Sequence, residues 1–456
     1  MGQNDTMSTE PMAQQGNGSA TRVRWGVLVL LFMAVGVNYM DRANLSVAKG
    51  MLEHQFGLTG TQYGWLQSSF IVAYLLGQVP GGQLLDRFGT ELFYAALILV
   101  WSLATVAMGI SGWLAASTAG VLFVMMLCRV LIGLAQAPAF PANAKIASMW
   151  FPHHERARAI GAYSTGQYMV PALMVPLLGV IGSSFGWTAI FYVSGGLGVL
   201  LGIVWLVAYR SPERSGANEA ELALIRQDRN SSPSVAAEPN EGESGWPEIK
   251  FVLSQGRFWG ICLLQFSASS VLYFFLTWFI PFVNSNLHLH GALAGVMASL
   301  PFLLAAVGVL SAGVWSDMLL KQGRSLVHAR KIPIVSGLLG SALICICPQL
   351  ERWPMLVMAV LSVVFLANAL SNLGWTALSD ILPKRVMGTA GGILNIFGNV
   401  AGILTPMVFG AVQDSTGSLS GGMYYLGAVA LLGAFCFFFC INDLSEIDIS
   451  QARRNA

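Results

Sequence analysis

Asp41, Arg42 and Arg129 are charged residues set inside long apolar runs, and their chemistry is that of a site holding an anion. A charge at mid-bilayer depth costs at least ~2.5–3.5 kcal/mol, so each of the three needs a partner, water or a ligand. Asp41 lies 16 residues past Trp25, about 24 Å along a helix. Arg129 is near the centre of its run, with no interface to reach. Two cations against one acid leave a spare positive charge. The planar fork of arginine grips both oxygens of a carboxylate. An Asp–Arg pair with a purely structural role is the competing reading.

Polar residues at helical spacing supply the walls of a cavity. Gln67, Tyr74 and Gln78 lie near one helix face, as do Arg129, Gly133 and Gln136, and Tyr163 and Gln167 are one turn apart. Further along come Gln265, Ser269 and Tyr273, then Asn368, Asn372, Trp375 and Ser379, then Asn395 and Asn399. Amides and hydroxyls also join helix to helix, which is the packing alternative for any one of them. Together they suit a polyhydroxylated body carrying a carboxylate, with Trp375 placed to stack on its apolar face.

These side chains need elements that cross a membrane. Of 456 residues 55% are hydrophobic, 50 more are glycine and only 10% are charged, against about 25% charged in a soluble chain. That composition excludes a soluble globular or a disordered protein. Apolar runs occupy 25–47, 62–85, 92–111, 113–144, 159–182, 187–208, 258–283, 292–316, 332–350, 354–379, 386–412 and 421–442. Each is long enough for a helix to span ~30 Å of hydrocarbon, and none shows the alternation of a barrel strand. The prediction is an all-α membrane protein of twelve transmembrane helices in two six-helix bundles. Its parts are a disordered cytoplasmic tail (1–21), a first bundle (22–209), a polar cytoplasmic linker (210–257), a second bundle (258–442) and a cytoplasmic tail (443–456).

With both termini and the linker on one side, that side collects 20 of the 24 basic residues, and the opposite loops hold only Lys49 and Arg352. Lys and Arg favour the cytoplasm, so both termini are expected there. The six cysteines fall in apolar runs without a C-x-x-C and read as free thiols. No phosphate-binding G-x-x-x-x-G-K-[ST] is present, so energy must come from an ion or substrate gradient. The scattered histidines and lone intramembrane acid argue against an enzyme. The two-half repeat argues against a channel pore ring, and the short linker against a sensor domain.

The halves repeat. Gly82-x-x-x-Asp86 and Gly313-x-x-x-Asp317 are 231 residues apart, as are Pro152 and Pro383, while Pro176 and Pro406 are 230 apart. A 6+6 parallel repeat about a cytoplasmic linker resembles the major facilitator superfamily. In the loop Gly81 to Gly89, Gly82, Asp86, Arg87 and Gly89 match that superfamily's G-x-x-x-D-R-x-G gating motif. Glycines allow close helix approach, and Asp86 can hold a helix end or a neighbouring Arg across a gate. A tight turn with a positive-inside charge is the competing reading.

Within the superfamily the chain resembles the anion:cation symporters, bacterial sugar-acid proton symporters of the D-galactonate type in particular. The resemblance rests on Asn38-Tyr39-Met40-Asp41-Arg42-Ala43-Asn44-Leu45, Gln78-Val79-Pro80-Gly81-Gly82 and Ala137-Pro138-Ala139-Phe140-Pro141. Trp150-Phe151-Pro152-x-x-Glu155-Arg156-Ala157 and Phe274-Phe275-Leu276-Thr277-Trp278-Phe279 add to it. It implies substrate binding by Arg42 and Arg129, a pocket lined by Tyr74, Gln167, Trp375 and Asn395, and proton coupling through Asp41. The family's second coupling acid stands where this chain has Gln136. Glutamine keeps the shape of a protonated acid but cannot titrate, and a Glu there would face Arg129 two turns away. The resemblance thus implies proton-driven import of a sugar-acid anion such as D-galactonate, with an uncoupled uniporter or exchanger as the alternative that Gln136 raises. It also implies no cofactor beyond the coupling proton, a monomer in the bacterial inner membrane and no nucleic-acid partner.

Overall fold

The computed structural model describes residues 21–114, 117–231, 246–287, 289, 291–445 and 447. The expectations for the tail before Thr21, the middle of the linker (232–245) and the tail beyond 447 fall outside them. All regular structure among the described residues is helical. In lipid each backbone polar group must be satisfied within its own segment, and an uninterrupted apolar run does this only as a helix.

The long helices are α1 (Val23–Phe56), α2 (Gly60–Phe88), α3 (Leu92–Leu114), α4 (Thr118–Trp150), α5 (Arg158–Phe185) and α6 (Trp187–Ala208). After the linker come α7 (Gly256–Thr277), α8 (Val296–Lys321), α9 (Leu326–Leu350), α10 (Pro354–Ile381), α11 (Val386–Thr416) and α12 (Ser420–Cys440). Eleven of these are long and apolar enough to cross a membrane, among the described residues. The other is α2, 29 residues long, whose glutamines, glycines and serines dilute its hydropathy. Thr59 and Gln62 form a capping box at its start, satisfying two N–H groups that a helix start leaves open. α4 is interrupted at Ala137 and Pro138, directly after Gln136.

Within the first half α3 packs on α6 and α4, α1 on α5 and α6, and α2 on α4. Within the second, α8 packs on α10, α7 on α11 and α12, and α9 on α10 and α12. The halves meet along two seams, α2 with α11 and α5 with α8. Shifting each helix of one seam by six places, α2 to α8 and α11 back to α5, gives the other seam, so the contacts follow the sequence repeat. Outward faces carry exposed Leu76, Val79, Phe123, Leu173 and Phe435, while Asp41, Arg42, Arg129 and Gln136 are buried. That inversion of a soluble protein's surface suits a lipid solvent. All six cysteines are free thiols.

The linker is more structured than its composition predicts. It contains helices Glu219–Ser231 and Trp246–Ser254. The buried Glu221 carboxylate accepts from the Val23 and Arg24 N–H groups at 3.2 and 3.1 Å and pairs with the Arg24 guanidinium at 3.2 Å. An acid at a helix N-terminus satisfies open donors and favours the dipole.

Candidate functional site

Arg129 is set by a glycine one turn further along its own helix. A Cβ on Gly133 would collide with the Phe70 carbonyl oxygen and stand 2.9 Å from the Ala73 Cβ. Without it α4 lies against α2, close enough for the Arg129 guanidinium to reach the α2 backbone. Nη2 donates to Gln67 Oε1 at 2.6 Å, Nη1 to the Asp41 carbonyl at 3.3 Å and Nε to the Leu66 carbonyl at 3.4 Å. Its carbon also lies 4.9 Å from the centre of the Phe70 ring. Gly133→Val is expected to push these helices apart and destabilise the protein by about 1–3 kcal/mol. Melting in detergent and transport should fall together; wild-type values for both would show that the contact gives way.

Arg42 is held differently. Its guanidinium lies 4.7, 5.0 and 5.1 Å from the rings of Tyr39, Tyr74 and Phe70. Its Nε and Nη2 have no hydrogen-bond partner among the described residues. Aromatic faces attract a desolvated cation without using its N–H groups, so these donors stay free for an oxyanion. A small cavity of about 10 Å³ between the halves, water-sized in this conformation, is bounded by Arg42, Gln67, Phe70 and Arg129 on one side and by Tyr273, Thr277 and Gly402 on the other. A Cβ at Gly402 would sit 2.5 Å from the Tyr273 ring, so this glycine lets the tyrosine lie flat on α11.

The predicted residues divide between this cavity and its surroundings. Arg42 and Arg129 line it, and Tyr74 forms part of the aromatic cradle of Arg42. Asp41 is 1% exposed, with both carboxylate oxygens unpartnered among the described residues. Gln136 is wholly buried with both amide atoms unpartnered in the same sense. The hydrogen bonds of Arg129 go to α1 and α2, so Gln67 and not position 136 is its side-chain partner. Asn395 donates to Gln78 Oε1 at 3.1 Å across the α2–α11 seam, one turn beyond Tyr74. Gln167 is half-buried on α5 and Trp375 is 42% exposed on α10. Neither lies on the cavity wall.

An added Cβ at Gly82 meets open space, and the close approach belongs to Gly81, where it would lie 3.0 Å from Pro138. Asp86 pairs with Lys145 at 2.7 Å inside its own half, and in the second half Arg330 pairs with Asp380 at 2.9 Å. Arg87 lies over the adjacent Phe88. Gly89, with φ 79°, ends α2 in a backbone region that favours glycine.

The halves are joined instead at the end carrying the α1–α2 turn. The Gly60 and Thr61 N–H groups donate to the Asp414 carboxylate at 2.7 and 2.8 Å, so an acid of α11 caps α2. Ser68 Oγ donates to the Ile403 carbonyl at 2.8 Å. Gln67 Nε2 donates to the Tyr63 hydroxyl at 2.7 Å, and Tyr63 donates to the Thr277 carbonyl at 2.5 Å. A hydrogen-bonded chain therefore runs from Arg129 through Gln67 and Tyr63 to the other half. Sequence reading missed Lys49, placed in an outer loop but here 2% exposed within α1. Its spacing of seven from Arg42 and four from Glu53 was the available signal.

A sequence model of the Major Facilitator Superfamily matches residues 31–406 and 279–452. A Bacillus subtilis (strain 168) protein described as a probable galactarate/D-glucarate transporter is 36% identical over 441 residues, 96% of each chain. The D-galactonate transporter of Escherichia coli O6:H1 is 35% identical over 432 residues, 93% of this chain and 97% of that one. Among solved structures, the inward-open xylose transporter of E. coli superposes with a TM-score of 0.73 at 13% identity, covering 95% of this chain and 99% of that one. At that identity the likeness is one of fold alone.

Proposed function

From the premise that this chain belongs to the major facilitator superfamily, as a multi-pass transporter whose relatives carry sugar acids and not as an enzyme, we propose that it imports a sugar-acid anion such as D-galactonate by proton-coupled alternating access. The observation that carries this reading is the pair of buried arginines on one cavity between the halves, with two Arg42 donors left unpartnered among the described residues. A carboxylate is the ligand that such donors suit. In the same reading α2 is the twelfth span, two six-helix bundles rock about the cavity, and both termini face the cytoplasm of a bacterial inner membrane. The protein works as a monomer. Tyr74 contacts the substrate first, and Gln167, Trp375 and Asn395 close on its hydroxyls as the halves move. Asp41 carries the coupling proton, and Gln136 stands as a fixed stand-in for a protonated acid.

The test is uptake of labelled galactonate and galactarate into proteoliposomes under an inward proton gradient, with and without a protonophore. Accumulation above the external concentration that the protonophore abolishes is the expected result; equilibration unaffected by the gradient would reject coupling. Gln136→Glu is expected to make uptake depend more steeply on pH by adding a second titrating group. An unchanged pH profile would remove position 136 from the coupling path.

A further inference from the structure

Lys49 is a third buried cation, two turns of α1 beyond Arg42, about 10 Å along the axis. The contacts that α1 and α4 make on α2 give the order of the three cations along that helix. Arg42 lies against Tyr74, Arg129 bonds Gln67, and Lys49 lies 5.6 Å from the ring of Tyr63. Gln67 and Tyr63 are four residues apart on α2, about 6 Å along the axis. An extended six-carbon di-acid separates its carboxylates by a similar length.

The cavity ends at Gln67 and Thr277, and Tyr63 is hydrogen-bonded to both. Lys49 stands on the far side of that wall, where the ring of Trp278 from the other half covers it at 5.2 Å. Thr277 and Trp278 belong to the moving second half, so opening that end would uncover the ammonium and join it to the cavity. Among the described residues its ion-pair partner is Glu53, at 2.7 Å on the same helix, and the Asp414 carboxylate of α11 also acts on it electrostatically. The Glu53 side chain is 44% exposed, and an ion pair with one member in solvent is held weakly enough to yield to another anion.

Resting on the sugar-acid reading above, we propose that Lys49 receives the second carboxylate of an aldarate whose first carboxylate is held by Arg42 and Arg129, and that it sets a preference for six-carbon di-acids over mono-acids. Lys49 is then a specificity-determining residue whose effect appears only with the longer-charged ligand. A role as a simple latch between the halves would act on both ligands alike.

Concentration dependence of galactarate and galactonate uptake into proteoliposomes distinguishes these, for the wild type, Lys49→Gln and Lys49→Arg. Lys49→Gln is expected to raise the half-saturating concentration of galactarate about tenfold, the effect of one lost charge-assisted hydrogen bond. Galactonate uptake should change less than about twofold, which also shows that the variant folds, and Lys49→Arg should recover much of the loss. Equal shifts for both ligands, no shift for either, or a wild type that prefers galactonate would each overturn the assignment. A wild type that takes up neither ligand would reject the sugar-acid reading itself, a different failure from loss of di-acid preference alone.

Discussion

Arg129→Gln is expected to lose sugar-acid uptake almost completely. Removing one member of a buried charged contact costs about 2–5 kcal/mol, which is roughly a 30-fold to several-thousand-fold loss of affinity. The geometry puts this variant at the high end. Arg129 is 1% exposed and bonds Gln67 and the backbone of α1 and α2 at once. Its loss removes an anion-binding fork and frees Gln67, the next link of the chain to Tyr63 and Thr277. Arg129→Lys separates charge from shape. The ammonium keeps the positive charge but cannot present parallel N–H groups, so uptake should still fall by about tenfold or more. Titration calorimetry with galactonate or galactarate, beside a melting curve in detergent, reads binding apart from folding. Wild-type affinity in Arg129→Lys would mean that the guanidinium shape is not what recognises substrate.

The second large effect is on energy conversion, not on binding. Asp41→Asn should abolish accumulation driven by a proton gradient while leaving exchange of substrate across the membrane. One proton per substrate moving down one pH unit sustains about tenfold accumulation, so the internal-to-external ratio should fall to about one. Asn keeps the size and hydrogen-bonding capacity of the acid but neither takes up nor releases a proton. The side chain lies beside the backbone carbonyl that Arg129 engages, so a change of charge there is felt at the anion site. Counterflow from preloaded vesicles measures exchange without a gradient. If Asp41→Asn still concentrates substrate, coupling lies elsewhere.

The anion site was legible to the extent that burial and charge define it. Arg42, Arg129 and Asp41 stood out because each is costly where hydropathy places it, and all three are buried. The repeat was legible too, since the α2–α11 and α5–α8 seams exchange under the same offset that relates the prolines. What escaped was partner choice. Gln67 and Gln136 are both amides on faces that can meet Arg129, and only the close approach allowed by Gly133 selects the one on α2. Gly81 and Gly82 are chemically alike, and helix tilt decides which meets Pro138. The end of α1 was misread for an electrostatic reason. Lys49 and Glu53 depress hydropathy after Val47, yet as i, i+4 partners they continue the helix, until Gly57 at φ 64° ends it. Trp375 and Gln167 were named from helical spacing and again by the family resemblance, and this conformation does not bring them to the cavity wall.

Glu221 belongs in sequence to the linker but in space to the start of α1, beside Asn218, whose side chain accepts from the Thr21 N–H at 3.1 Å. The boundary between the halves is therefore not where the apolar sequence stops. Two polypeptides co-expressed to rebuild the transporter would best be divided after Ser231, so that the first carries its own acceptor for the opening turn. Division at Tyr209 would leave that turn with bare donors and Arg24 without one of its two carboxylate partners.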